Sequence, residues 1–241
     1  MKKALLALAA VTAAALPLAA SAQLTANVTA ISNYKFRGQD QDSSRTKALK
    51  PALQGGFDYA FGETGFYVGN WNSSVNFGSA APNNSIESDF YGGYKMTAGD
   101  YALDFGALAY VYPGYAASKT VELYASGGWG PLVLKYSHTV SNDYFNYAGA
   151  STSNRSGRNT GYLNLAFAQE VAPSITVKAA LGFTNFGSDI TAPNYADYSV
   201  GGAYDFGGGV SASAAIVGAT KKNYFGDVNK ARLIVGLTKA M

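Results

Sequence analysis

The chain has no cysteine, one histidine, and 15 acidic side chains set against 18 basic ones in 241 residues. Without cysteine there is neither a disulfide framework nor a thiolate metal site. The single histidine, His138, follows Ser137. A nucleophile and its base must face each other, and adjacent strand residues face opposite ways, so this pair offers no catalysis and no enzyme is expected. Asp40 and Asp42 lack the 12-residue calcium-loop pattern, and Gly207-Gly208-Gly209 lacks the Lys-Ser/Thr sequel of a phosphate loop. No cofactor is expected. The charges are spread one or two per candidate strand with no basic, aromatic-interleaved patch, which excludes nucleic acid as a partner. Beyond residue 23 no run approaches the roughly 18 apolar residues of a membrane-spanning helix.

The first residues are a different physical object. Lys2 and Lys3 precede an apolar stretch from Ala4 to Pro17 and an Ala20-Ser21-Ala22 exit. This is the pattern of a secretory signal peptide over residues 1–22, cleaved before Gln23, and the short Ala-rich leader points to bacterial export. Its removal takes two lysines and no acids, leaving a net charge of +1 on residues 23–241, which form one domain.

What is present is alternation. Leu24, Ala26, Val28, Ala30, Tyr34 and Phe36 share one parity, and Thr25, Asn27, Thr29, Asn33, Lys35 and Arg37 the other. Period two belongs to a strand with one apolar and one wet face. Followed along the chain it predicts twelve strands, at 24–37, 52–61, 65–77, 87–97, 101–113, 119–127, 132–140, 160–170, 175–186, 196–206, 210–220 and 229–240. Tight turns such as Gly62-Glu63-Thr64 and Ala98-Gly99-Asp100 alternate with longer polar connections, of which Ser141 to Asn159 is the longest. Lipid supplies no water to unpaired backbone, so a sheet crosses a bilayer only when closed. The expected fold is therefore all-β: a single closed antiparallel transmembrane β-barrel of twelve strands, with short periplasmic turns and longer extracellular loops, in the bacterial outer membrane. Tyr34 with Phe36, Tyr59 with Phe61, Tyr94, Tyr101 and Tyr204 with Phe206 fall near strand ends and are expected to form headgroup girdles. Phe66, Val68, Leu108 and Ile234 break the pattern by falling on the wet parity, which suggests a partly filled interior or bulges.

Several ordered blocks resemble a known family. Asn33-Tyr34-Lys35-Phe36-Arg37-Gly38, Pro51 to Tyr59, Gly65 to Trp71, Glu87 to Tyr94, Tyr110-Val111-Tyr112-Pro113-Gly114, Glu122-Leu123-Tyr124, Lys135-Tyr136-Ser137 and Asn142-Asp143-Tyr144-Phe145 are similar to the TorF-type porins. The resemblance covers the whole of residues 23–241. It implies a proteobacterial outer-membrane barrel and brings no catalytic residue and no agreed substrate.

The wet parity names the candidate lumen. Lys35, Arg37, Lys95, Lys135, Lys178, Lys230 and Arg232 are expected to point inward, with Asp58, Glu87, Asp89, Asp104, Glu122, Asp197 and Asp205. Seven of each sign give no selectivity from the total, so arrangement matters more than sum. Closure would place Lys35 and Arg37 beside Lys230 and Arg232 as a basic strip, and Arg155 and Arg158 on the longest loop are candidates for a constriction. Two functions remain open. One is a narrow porin-like channel for passive diffusion of small hydrophilic solutes or ions, and the other a non-conducting structural, adhesive or receptor barrel. The expected partners are outer-membrane lipids and lipopolysaccharide, the barrel-assembly machinery, small hydrophilic solutes and, through small outward residues such as Ala212 and Ala214, further copies of the chain.

Overall fold

The structure, a computed structural model, describes residues 23–43 and 49–241. The leader expected over residues 1–22 lies outside the described residues. The strands are β1 (Gln23–Ile31), β2 (Lys35–Phe36), β3 (Gln39–Asp40), β4 (Ala52–Ala60), β5 (Phe66–Ser74), β6 (Ile86–Ala98) and β7 (Tyr101–Val111). They continue with β8 (Thr120–Trp129), β9 (Leu132–Thr139), β10 (Gly161–Ala172), β11 (Ile175–Asn185), β12 (Tyr195–Gly207), β13 (Val210–Ala219) and β14 (Arg232–Ala240). A four-residue helix, α1 (Lys222–Phe225), precedes β14. Among the described residues no helix is long and apolar enough to cross a membrane.

Apart from the small β2–β3 hairpin, the strands form one closed antiparallel barrel of twelve, each paired with its sequence neighbour and β1 with β14. The seam runs from Asn27↔Ala240 to Ile31↔Gly236, and Met241 extends it by exchanging backbone hydrogen bonds with Ala26 at 2.8 and 3.1 Å. Inside, the Thr29 and Thr238 hydroxyls bond across it at 2.8 Å. Among the described residues the barrel sheet has no free strand edge, the condition for a sheet in lipid.

One parity of each strand carries the exposed apolar residues, for example Leu24, Val28, Leu53, Phe57, Phe90, Leu123, Leu134, Leu165, Leu181, Val200, Leu233 and Leu237. The other turns to the lumen. Phe61, Phe66, Tyr94, Tyr101, Trp129, Tyr204 and Phe206 are exposed around the tight-turn end, where amphipathic rings meet headgroups.

Four expectations are corrected. The first wall strand stops at Ile31, not residue 37: the chain turns in, and Tyr34 to Asp40 form a hairpin reversing at Arg37 and Gly38, both with positive φ. Alternation persisted because a hairpin inside the barrel has two faces too. Tyr34 and Phe36 are consequently core residues and not girdle. Phe66 and Val68 are 56% and 45% exposed and lie on the outer face, since in β5 the inward parity is Tyr67, Gly69, Trp71 and Ser73; Leu108 and Ile234 do fill the interior. The last strand begins at Arg232, because residues 222–229 form helical turns.

Inward tyrosines lie flat against the wall because glycines make room. A Cβ on Gly69 would strike the Tyr91 ring, one on Gly106 the Tyr124 hydroxyl, and one on Gly182 the Tyr162 hydroxyl. At Gly93 it would lie 2.7 Å from the Tyr67 hydroxyl and 2.5 Å from the Phe105 carbonyl oxygen. Gly93→Val is therefore expected to cost about 1–3 kcal/mol of barrel stability. Gly127→Ala, whose Cβ meets only Leu103 at 3.7 Å, is expected to be near neutral, and urea unfolding in detergent followed by tryptophan emission compares them.

Candidate functional site: a constriction inside the barrel

Three long connections fold over and into the lumen at the end opposite the tight turns. The first, between β1 and β4, carries the hairpin. Its Asp40 side chain is wholly buried and faces three cations: Lys35 Nζ at 2.8 Å, Lys50 Nζ at 3.1 Å and Arg232 Nε at 3.0 Å. Lys35 also donates to the carbonyls of Gly38 (2.9 Å) and Val228 (2.7 Å), and Lys50 to that of Asp42 (2.6 Å). Burial opposes the Asp40 charge, but hydrogen bonds and attraction from Lys35, Lys50 and Arg232 outweigh it and hold the carboxyl below its ordinary range. Burial likewise pushes the Lys35 ammonium below its ordinary range, against the pull of Asp40. The basic strip expected at the seam is thus a knot of three cations gathered on one carboxylate. Lys230 takes no part in it: it is exposed, ahead of β14.

Arg37 leaves this knot and reaches the far wall. Its guanidinium donates to Glu122 Oε1 at 2.9 Å and Oε2 at 2.7 Å, a bidentate pair with both side chains almost fully buried. Glu122 is on β8, five strands from β1 one way round and seven the other, so the first loop spans the bore. The same guanidinium donates to the Tyr144 hydroxyl at 2.8 Å and lies 4.1 Å over the Tyr162 ring.

Tyr144 belongs to the longest connection, between β9 and β10. Buried Asp143 shapes it by accepting the backbone N–H groups of Tyr144, Ala148 and Ala150 at 2.7, 3.1 and 2.7 Å. Tyr147 donates to Gln39 at 2.7 Å, tying this loop to the first. The arginines expected to constrict the bore from this segment do not enter it. Arg155 donates to the Asp189 carbonyl on the outer loops, and Arg158 is exposed. The connection ahead of β14 adds Asn229, which accepts from Gln39 at 2.9 Å, and Phe225, which packs on Tyr195.

Below and beside the constriction, inward carboxylates are held by tyrosines. Tyr67 donates to Asp104 at 2.7 Å, Tyr91 to Asp58 at 2.8 Å, Tyr162 to Asp197 at 3.1 Å, Tyr110 to Glu122 at 3.3 Å and Tyr34 to Glu87 at 3.3 Å. Glu87 and Asp89 are both buried on β6, among Tyr34, Tyr110 and Tyr112. Lys95 and Lys135 sit over the rings of Tyr67 and Tyr124. Lys178 is half-buried on β11, and Asp205 is half-buried near the tight turn, accepting the Gly207 N–H at 2.8 Å. Ser137 is buried on the inner side of β9, while the His138 ring lies on the outer side with Tyr136, whose hydroxyl is 3.2 Å from Nδ1. The two do not meet.

Sequence reasoning missed Asp40 as a keystone, with Lys50 and Tyr144. One signal was available: a first strand of 24–37 exceeds the roughly 9–11 residues a tilted strand needs to cross a bilayer.

A closed antiparallel barrel of twelve strands, with an apolar outer belt and a polar interior narrowed by an inserted loop, defines a porin-like barrel of the outer-membrane type. The chain belongs to the Gcw_chp family, described as a bacterial protein of unknown function, which matches residues 16–240. No curated protein sequence matches it. Among solved structures it is similar to the KdgM porin, with a TM-score of 0.57 at 8% identity over 89% of this chain and 98% of that one. It is also similar to the KdgM porin in complex with disordered oligogalacturonate, with a TM-score of 0.56 at 10% identity over 89% and 98% of the two chains. Outer membrane phospholipase A from Escherichia coli aligns with a TM-score of 0.48 at 11% identity over 94% and 93%. The KdgM likeness shows the fold.

Replacing Asp40 by Ala would leave three buried cations without their carboxylate, a change of the kind that costs about 3–5 kcal/mol. The expected result is faster trypsin cleavage between β1 and β4 in an otherwise intact barrel. Because the folded Asp40 value is lowered, its contribution is complete above about pH 4 and is lost as pH falls through that lowered value. Cleavage by an acid-active protease is expected to accelerate only below that point.

Proposed function

We propose that this protein is a narrow outer-membrane channel for passive diffusion of small hydrophilic solutes. The observation that carries the reading is the Arg37–Glu122 pair, which joins an inserted loop to the opposite wall of a barrel whose inner face is polar. A barrel that serves only as a scaffold needs no charged strut across its bore. Solutes would be sorted by the width left around this strut and by the carboxylates and ammoniums of the lumen. No chemical step belongs to the reading, since the serine and histidine that share β9 face opposite sides of the wall. The TorF-type resemblance is part of the same proposal, as are cleavage of residues 1–22 during export, insertion by the barrel-assembly machinery, contact with lipopolysaccharide and association between copies.

A second reading has its own support. Tyr34, Tyr110, Tyr112, Val75 and Leu108 pack with Phe36 and Phe145 in the loop-side half of the lumen, as they would in a barrel sealed to act as a receptor or structural element. Swelling of proteoliposomes in sugars of graded size separates the two. The channel reading expects swelling in pentoses and hexoses that falls away for trisaccharides; folded protein that leaves liposomes impermeable to pentoses supports the sealed barrel.

A further inference from the structure

Lys178 on β11 aside, the lumen cations described above divide into two groups. Lys35, Lys50, Arg37 and Arg232 are all held by protein carboxylates. Lys95 and Lys135 have no such partner. Lys95 Nζ lies 4.4 Å from the centroid of the Tyr67 ring and Lys135 Nζ 3.9 Å from that of Tyr124, and the two tyrosine hydroxyls are in contact. The carboxylate placed to neutralise them is Asp104, directly across from Lys95 in the β6–β7 register, yet its Oδ1 accepts from Tyr67. Ring faces attract an ammonium but accept none of its three N–H groups in a good hydrogen bond. Asp104, Asp58 and Glu122 act on this cluster but are already bonded to Tyr67, Tyr91 and Arg37, which leaves the two half-buried ammoniums with ring faces and with donors that no carboxylate accepts.

The neighbouring wall is built mainly of small side chains. Lys135 pairs across the strands with Ser126, four residues from Glu122 toward the tight turns, so its backbone lies about 13 Å along the strand from Glu122 while its ammonium reaches back over Tyr124. The inner face of β10 to β12 at the turn side carries the small residues Ala166, Ala168, Ala180, Ser199, Gly201 and Ala203, with Lys178 between Ala168 and Gly201 in the register. Apart from Lys178, this turn-side wall is built of small residues, while β6 and β9 carry Lys95 and Lys135.

We propose that Lys95 and Lys135 form a binding station for a small oxyanion of the carboxylate or phosphate class, on the periplasmic side of the constriction. The station deepens the channel reading and rests on it: an anion passing Arg37–Glu122 would meet its next donors here. The oxyanion would take N–H groups from both ammoniums while the rings of Tyr67 and Tyr124 back them and Asp104 stays with Tyr67.

Titration of refolded barrel in detergent with inorganic phosphate and, separately, acetate at low ionic strength tests this, read by 31P line width and by calorimetry. Saturable binding by the wild-type protein is expected, weakened roughly tenfold or more in Lys95→Met and in Lys135→Met, as for loss of one charge-assisted contact, and retained in Lys135→Arg. Faster electrophoretic mobility before heating checks that each variant is a folded barrel. Equal affinity in the wild type and the double methionine variant, or no saturable binding of either probe by the wild type, overturns the proposal. Intact, lysine-dependent binding in a barrel that supports no solute flux supports the station and refutes the channel.

Discussion

A sheet surrounded by lipid has no solvent to satisfy a free edge, and the pairing of β1 with β14 removes that edge here. Everything else follows from the closure. It gives each strand one face in lipid and one in the lumen, so the apolar residues can be divided among many half-greasy strands, with a mean hydropathy of only -0.02. It also brings Arg232 on β14 against the loop that leaves β1, where Asp40 waits with Lys35 and Lys50. The seam of the barrel and the anchor of the constriction are therefore one place in the fold.

Two kinds of polar economy operate inside. At the loop side, Asp40 and Glu122 hold four protein cations in buried ion pairs, which ties the first loop to two walls. Toward the turns, tyrosine hydroxyls hold the carboxylates and tyrosine rings hold the lysines, while glycines on neighbouring strands let those rings lie back against the wall. The first arrangement is rigid and closed to outside partners. The second leaves space and donors.

Much of the fold was legible because strand parity is a strong, repeated signal: Leu24 with Val28, Leu53 with Phe57, and Leu163 with Leu165 turn out to lipid as their alternation predicted. Parity alone does not say which face is which. In β5, Asn70 and Asn72 share the parity of Phe66 and Val68 while Tyr67 and Trp71 hold the other, so the pattern points Phe66 and Val68 inward and the structure reverses them. Nor does parity say where a wall strand ends. Lys35 and Arg37 kept the alternation while leaving the wall, so the seam strip expected from them became an ion-pair knot and a strut. The constriction was sought on the longest loop through Arg155 and Arg158, but that loop contributes Tyr144 and Tyr147 instead. These are long-range pairings between residues 85 and 108 positions apart, and no local pattern encodes them.

The central claim is that the first loop crosses an otherwise passable bore and sets its width through Arg37. Single-channel recording in planar bilayers with wild-type protein and Arg37→Ala tests it most directly. The account predicts small, discrete steps for the wild type and larger steps for the variant. Silent bilayers for both folded proteins, or steps of the same size, would contradict it.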